Sequence, residues 1–156
     1  MLTILALSVQ WLKTQAYGLS YQVSSSMPKG WYLQTPVQRL TYGTWVFLKP
    51  PTFAKNYLQR HHWLPNSGIM LKSIQALPGD WVCVKNHQLW INQQVAALTL
   101  TLDRHQQTIE QRPFCRLLTA DEYLVLGLKD ARSYDSRYFG PINRKQILAK
   151  AAPLSL

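Results

Sequence analysis

Residues 71–82 read Leu71-Lys72-Ser73-Ile74-Gln75-Ala76-Leu77-Pro78-Gly79-Asp80-Trp81-Val82. An apolar segment that begins near Ile69 and Met70 carries one lysine, closes on Leu-Pro-Gly-Asp and restarts as a second strand-like run. Two short strands about a turn are the expected result, with Asp80 serving the Pro-Gly-Asp turn. The lysine is out of place in such a segment. An ammonium held against apolar surface loses hydration, which favours the neutral amine, lowers its pKa and suits it to act as a general base near neutral pH. Taken alone, Lys72 reads as a residue on the wet face of an edge strand.

The same grammar extends outward in both directions. Downstream, residues 81–85, 89–91 and 95 onward alternate with turn-like Asn86-His87 and Asn92-Gln93, giving successive short hairpins. Residues 98–113 are polar apart from Leu100 and Leu102 and read as a ragged loop; residues 116–118 and 122–126 supply two more strands. Upstream, residues 16–23 lead extended into a Ser-rich turn, 31–33 leave it, and 44–48 form a β-rich run stopped by Pro50-Pro51. Residues 52–61 have helix composition, with Phe53, Tyr57 and Leu58 on the side that caps the sheet. Gly140-Pro141 is expected to end the sheet, leaving residues 143–150 as a short helical tail or irregular cover. The expected class is all-β, mainly antiparallel, with few short helices.

Two further stretches carry candidate chemistry. Residues 24–32 read Ser24-Ser25-Ser26-Met27-Pro28-Lys29-Gly30-Trp31-Tyr32. Pro28 fixes its own φ and pushes Met27 extended, and Gly30 permits a turn, so Ser26 sits at a rigid bend. Alone, this is an ordinary turn. Residues 133–141 read Ser133-Tyr134-Asp135-Ser136-Arg137-Tyr138-Phe139-Gly140-Pro141. On a strand, Ser133, Asp135 and Arg137 would share one face and the two charges would pair.

In order and content the three stretches resemble the signal peptidase I superfamily of serine endopeptidases, which use a Ser/Lys dyad, and most closely its conjugative-transfer (TraF-type) branch. Ser24-x-Ser26-Met27-Pro28-x-Gly30-x-Tyr32 matches the nucleophile box, Lys72 with Leu77-Pro78-Gly79-Asp80 the lysine box, and Ser133-x-Asp135-Ser136-Arg137-Tyr138-Phe139-Gly140 the last box. The resemblance implies Ser26 as nucleophile, Lys72 as base and Ser133 as the group that orients the amine. It also implies the Ser26 amide with the Ser24 hydroxyl as oxyanion donors, and Asp135 with Arg137 as a supporting pair. Ser24 and Ser26 would share a face of an extended segment, with Ser25 pointing away. No cofactor is implied. The implied substrate is an exported precursor, here the propilin of a conjugative type IV secretion apparatus, and the acyl-enzyme would be resolved by water or by the substrate's own amine to give a cyclic peptide. Residues 128–132, Leu-Lys-Asp-Ala-Arg, stand where the housekeeping signal peptidases carry an Asn-rich run, and Met27-Pro28 lacks the extra residue common in that group. Both departures fit the conjugative branch better than ordinary cleavage of secretory preproteins after small residues.

Composition bounds the rest. The chain has 156 residues, enough for one domain with a real core, and 47% hydrophobic against 15% charged residues excludes a disordered tail. Only about 110 residues separate Ser24 from Ser133, leaving little room for a large inserted domain. The boundaries expected are an apolar N-terminal segment, 1–15, and a catalytic domain, 16–156. The apolar run of residues 1–12 is shorter than the roughly 20 residues of a spanning helix and lacks a preceding basic residue. It reads as the tail end of an anchor, an interfacial helix or a core segment. The resemblance favours the first two, with the catalytic domain on the periplasmic face of the bacterial inner membrane. A formal charge of +10 suits an anionic membrane surface. It also suits a rival reading, a basic, aromatic-rich β-barrel binding single-stranded nucleic acid, but the basic residues are scattered and nucleic acid is not the expected partner. His61-His62 point different ways and no metal is expected. Cys83 and Cys115 are either buried free thiols or one disulfide, the latter favoured outside the cytoplasm.

Overall fold

The computed structural model describes residues 18–103 and 105–154. The apolar segment 1–15 expected from sequence lies outside the described residues. Among the described residues the fold is built on eleven strands, all paired antiparallel. They are β1 (Gly18–Gln22), β2 (Gly30–Thr35), β3 (Trp45–Leu48), β4 (Met70–Ala76), β5 (Trp81–Lys85), β6 (Gln88–Ile91), β7 (Gln94–Leu98), β8 (Cys115–Leu117), β9 (Glu122–Leu126), β10 (Ile142–Asn143) and β11 (Ile147–Pro153). Two short helices, α1 (Thr52–Arg60) and α2 (Ser136–Phe139), and a 3-10 turn (Arg144–Gln146) complete them. No helix of the described residues is long and apolar enough to cross a membrane.

The strands form a seven-stranded sheet ordered β1-β2-β11-β3-β4-β9-β10 and a four-stranded sheet ordered β7-β6-β5-β8. Alternation along each strand assigns its two faces. Val46 and Leu48 of β3, Ile74 of β4 and Val125 of β9 look one way and pack with Tyr57 and Leu58 of α1 and Tyr138 and Phe139 of α2. Phe47 and Leu71 look the other way and pack with Met27, Tyr32 and Ala149. A third cluster, including Val82, Leu89, Leu124 and Leu126, fills the junction of the two sheets. That junction is also spanned by Arg116 of β8, which grips both carboxylate oxygens of Glu122 of β9 at 2.5 and 2.7 Å.

Most of the expected order is present. The hairpin turns at Asn86-His87 and Asn92-Gln93 have positive φ at both residues, the geometry that matches strand twist in two-residue turns. Asp80 closes its turn as expected, accepting from the Leu77 amide at 2.6 Å and from Tyr42 and Asn92. The C-terminal expectation is corrected. Gly140-Pro141 does not end the sheet, and residues 143–150 are not a cover: after one 3-10 turn the chain becomes β11, which inserts between β2 and β3 in the middle of the larger sheet. Ile147 and Ala149 are buried there; the run Ile-Leu-Ala-Lys-Ala-Ala-Pro is apolar apart from Lys150, so its polar alternation does not mark it as a strand.

Candidate active site

Lys72 is buried because of its register. On β4 it shares the face of Met70 and Ile74, and its cross-strand neighbour on β3 is Val46, wholly buried in the main core. Only 3% of the residue is exposed. Burial pushes its amine down to about 8; the Arg137 charge adds to that fall, and Asp135 and Asp130 oppose it. The amine donates to the Ser133 hydroxyl at 2.9 Å, a neutral partner that orients the group without restoring its charge.

Ser26 lies in the turn between β1 and β2. Met27, 1% exposed, plugs this turn into the cluster of Tyr32, Phe47 and Leu71, and the Tyr32 hydroxyl donates to the Pro28 carbonyl at 2.8 Å. The turn is therefore fixed from beneath while Ser24 and Ser25 remain exposed and Ser26 half-buried. The Ser24 and Ser26 hydroxyls are 3.1 Å apart, and Gln22 donates to Ser24 Oγ at 2.7 Å. Residues 24–26 form a bend, so the shared direction of the two hydroxyls comes from the turn and not from the extended segment expected. Ser25 turns instead to the Asp130 carboxylate, to which it donates at 2.7 Å.

Ser133, Asp135 and Arg137 come together, but not on a strand. Asp135 caps the N-terminus of α2, accepting from the Arg137 amide at 3.2 Å and from its guanidinium Nε at 2.9 Å. Both are almost fully buried, at 0% and 4%. Asp135 also accepts from the Gly127 amide at 2.9 Å, and Arg137 donates to the Ala131 carbonyl at 2.8 Å. The ion pair thus holds both ends of the loop that delivers Ser133 to Lys72.

Gly127 is the functional position that sequence reasoning passed over. A Cβ there would lie 2.3 Å from Ser133 Oγ, closer than a real Cβ comes to another atom, and 3.0 Å from the Ser26 carbonyl oxygen, a tight contact. The next residues continue the contact, with the Lys129 amide donating to the Ser26 carbonyl at 3.1 Å. Gln22 was missed as well. The available signal was weak: a lone glycine after an apolar strand, and a polar residue two before Ser24. No group of metal-ligating side chains occurs among the described residues. Cys83 of β5 and Cys115 of β8 are opposite each other and joined as a disulfide.

Ser24, Ser26, Lys72 and Ser133 line one cavity of about 460 Å³. An antiparallel β core that presents a serine turn, a dehydrated amine and its orienting hydroxyl to one cavity has the make-up of a serine peptidase. The family comparison agrees: the model described as "Signal peptidase, peptidase S26" matches residues 1–155, and the chain belongs to that family. It is 32% identical over 152 residues to the conjugal transfer protein TraF of Agrobacterium fabrum (strain C58 / ATCC 33970), covering 88% of this chain and 82% of that one. It is 27% identical over 154 residues to a plasmid transfer protein TraF of Escherichia coli, covering 89% and 83%. A crystal structure of a signal peptidase I from Enterococcus faecalis V583 aligns with 74% of this chain and 98% of its own at 17% identity and a TM-score of 0.43.

Proposed function

We propose that the chain is a serine endopeptidase in which Ser26 is the nucleophile and Lys72 the general base, and that it matures an exported precursor, the propilin of a conjugative type IV secretion apparatus. The observation that carries this reading is the Lys72 amine, buried, held by Ser133 and brought to about 8, on the cavity that Ser26 also lines. The neutral amine uses its N–H to bond Ser133 and keeps its lone pair for the serine proton. Ser26 exchanges its bond to Ser24 for one to Lys72 as it attacks, its proton passing to Nζ and its Oγ bonding the carbonyl carbon. The oxyanion so formed is received by the Ser26 amide and the Ser24 hydroxyl, whose acceptor side is already occupied by Gln22. Each such donor is worth about 3 kcal/mol to the transition state. The protonated Lys72 then returns its proton to the leaving amine.

The substrate class is supported by relatives named for conjugal and plasmid transfer. A periplasmic site is supported by the disulfide, which persists in oxidising compartments. Partnership with the inner-membrane surface is supported by the exposed outer face of β1 and β2. Leu19, Tyr21, Val23 and Trp31 lie open there, next in the chain to the apolar N-terminal run. Interfacial Trp and Tyr suit a headgroup layer.

The ester can be resolved by water, giving a linear product, or by the precursor's own amine, giving a cyclic one. Mass spectrometry of the propilin coexpressed with the protein or with Ser26→Ala tests both steps. The expected result is a serine-dependent product lighter by the removed segment and by one further water. A serine-dependent linear product restricts the reading to endopeptidase cleavage, and identical products with both versions overturn it.

A further inference from the structure

The cavity that holds Ser26 and Lys72 contains another carboxylate, which the chemistry above leaves idle. Asp103 comes from the loop between β7 and β8 and is 8% exposed. Its Oδ1 accepts from the backbone amides of His105 and Gln107 at 2.7 and 2.8 Å. Its Oδ2 is buried and has no hydrogen-bond partner among the described residues. Besides its burial, the charges that act on Lys72 are Asp135, Arg137 and Asp130; Asp103 is not among them. Arg132 also lines the cavity but is exposed, and no ion pair joins it to Asp103 among the described residues.

A buried carboxylate oxygen without a donor is a cost to the free protein that an incoming donor relieves. A fixed anionic oxygen on a cavity wall suits a cation bearing several N–H groups, and besides burial and its two amide donors the charges that act on Asp103 are those of His105 and His61. We propose that Asp103, through its open Oδ2, forms a subsite for a cationic nitrogen of the precursor, either a Lys or Arg side chain near the scissile bond or the free α-amino group. The proposal rests on the peptidase reading and names what that site selects. It fits a chain of net charge +10, on which a buried unpaired carboxylate is a local exception to the prevailing field.

The test uses the full chain and a peptide set with a small residue at the cleaved bond. Lysine or its neutral analogue norleucine occupies each of the four positions on either side in turn, and every peptide is made with a free or an acetylated N-terminus. For a side-chain cation, wild type prefers lysine at one position by about tenfold or more in kcat/KM. For an α-amine, the free form is preferred over the acetylated one by the same factor. Asp103→Asn keeps the Oδ1 acceptor for the two loop amides, so the loop is retained, and a thermal melt checks it. In this variant the preference should fall below about threefold. Should Asp103→Asn unfold, the ratio in Asp103→Glu decides: it keeps the charge but moves the oxygen, and a preference that neither falls nor moves to another position overturns the subsite. The same preference is read as binding affinity in the Ser26→Ala background, where no chemistry is needed. An Asp103-dependent preference in binding without serine-dependent cleavage keeps the subsite and overturns the peptidase reading. Serine-dependent cleavage with no Asp103-dependent ratio in either assay overturns the subsite alone, and the absence of both overturns both.

Discussion

The two halves of the candidate site are built on opposite terms. On the lysine side, Lys72, Ser133, Asp135 and Arg137 are all 5% exposed or less and sit on a central strand, a short helix and the loop tied between them. On the serine side, Ser24 and Ser25 are exposed, Ser26 is half-buried, and only Met27 reaches a core. In the proposed dyad the difference follows from what each group would have to do. A lysine is a base only where water cannot hold its proton, so it must be enclosed and its neighbours fixed. A serine must meet a peptide from outside, so the chain fixes the backbone around it and leaves the hydroxyl open. Enclosure strains the first half, since a neutral-pH fold must accommodate an amine that would be charged in water.

The sharpest way to break this contrast is Lys72→Met set against Ser26→Ala. Both should lower turnover by about 10⁴-fold, the range of a lost general base or nucleophile. Only the first should change stability. With a folded pKa of about 8 against an ordinary value near 10.5, the unfolded chain binds the extra proton between those pH values. Wild-type stability therefore rises as pH increases from about 8 to 10.5 and is lowest, through this group, below pH 8. Methionine removes that penalty, and after the lost bond to Ser133 the expected gain at neutral pH is about 2 kcal/mol, with the rising slope abolished. Calorimetry at pH 7 and 10 reads both. In wild type, kcat/KM should climb with pH with a midpoint near 8. A flat rate profile together with an unchanged melt in Lys72→Met would place the lysine in water and end the contrast.

The second perturbation strikes both halves at once. Gly127→Ala places a methyl group 2.3 Å from Ser133 Oγ and 3.0 Å from the Ser26 carbonyl. Either the orienting hydroxyl or the serine turn must move. Overpacking of this kind costs about 2 kcal/mol, and displacing a reacting group by about 1 Å costs about 100-fold in rate. A chemical denaturation curve and an acylation assay should both register the change. An active, fully stable alanine variant would show that the two halves are not locked together through this residue.

How much of this was legible depended on range. Lys72 stood out because a charge interrupted an apolar run, and the helix at residues 52–60 because its apolar spacing was local. The strand β11 was not legible: its place in the centre of a sheet depends on β2 and β3, more than 90 residues earlier in the chain. The arrangement of Ser133, Asp135 and Arg137 was half legible. Their spacing points to association on one face of a strand, whereas Asp135 caps a helix, and a four-residue helix has too few residues to show a period. Gly127 shows in the sequence only as a lone glycine after an apolar strand, since what makes it necessary is the Ser133 side chain and the Ser26 backbone folded against it.

The smallest expected effect concerns the open half, and it asks how far the serine side is organised at all. Gln22, half-buried at the end of β1, donates to both the hydroxyl and the carbonyl of Ser24, at 2.7 and 3.1 Å, through bonds that are open to solvent. If its role is to turn the Ser24 proton toward the oxyanion, Gln22→Ala should lower kcat by about fivefold, the worth of one net hydrogen bond, and leave KM and the melting temperature unchanged. Ser24→Ala should cost about 100-fold in kcat by removing the donor itself. The decisive comparison is the double variant: acting only through Ser24, Gln22→Ala should have no further effect once that hydroxyl is gone. Additive losses would mean that Gln22 touches the substrate directly, and the open half would then contain one more contact than the resting geometry displays.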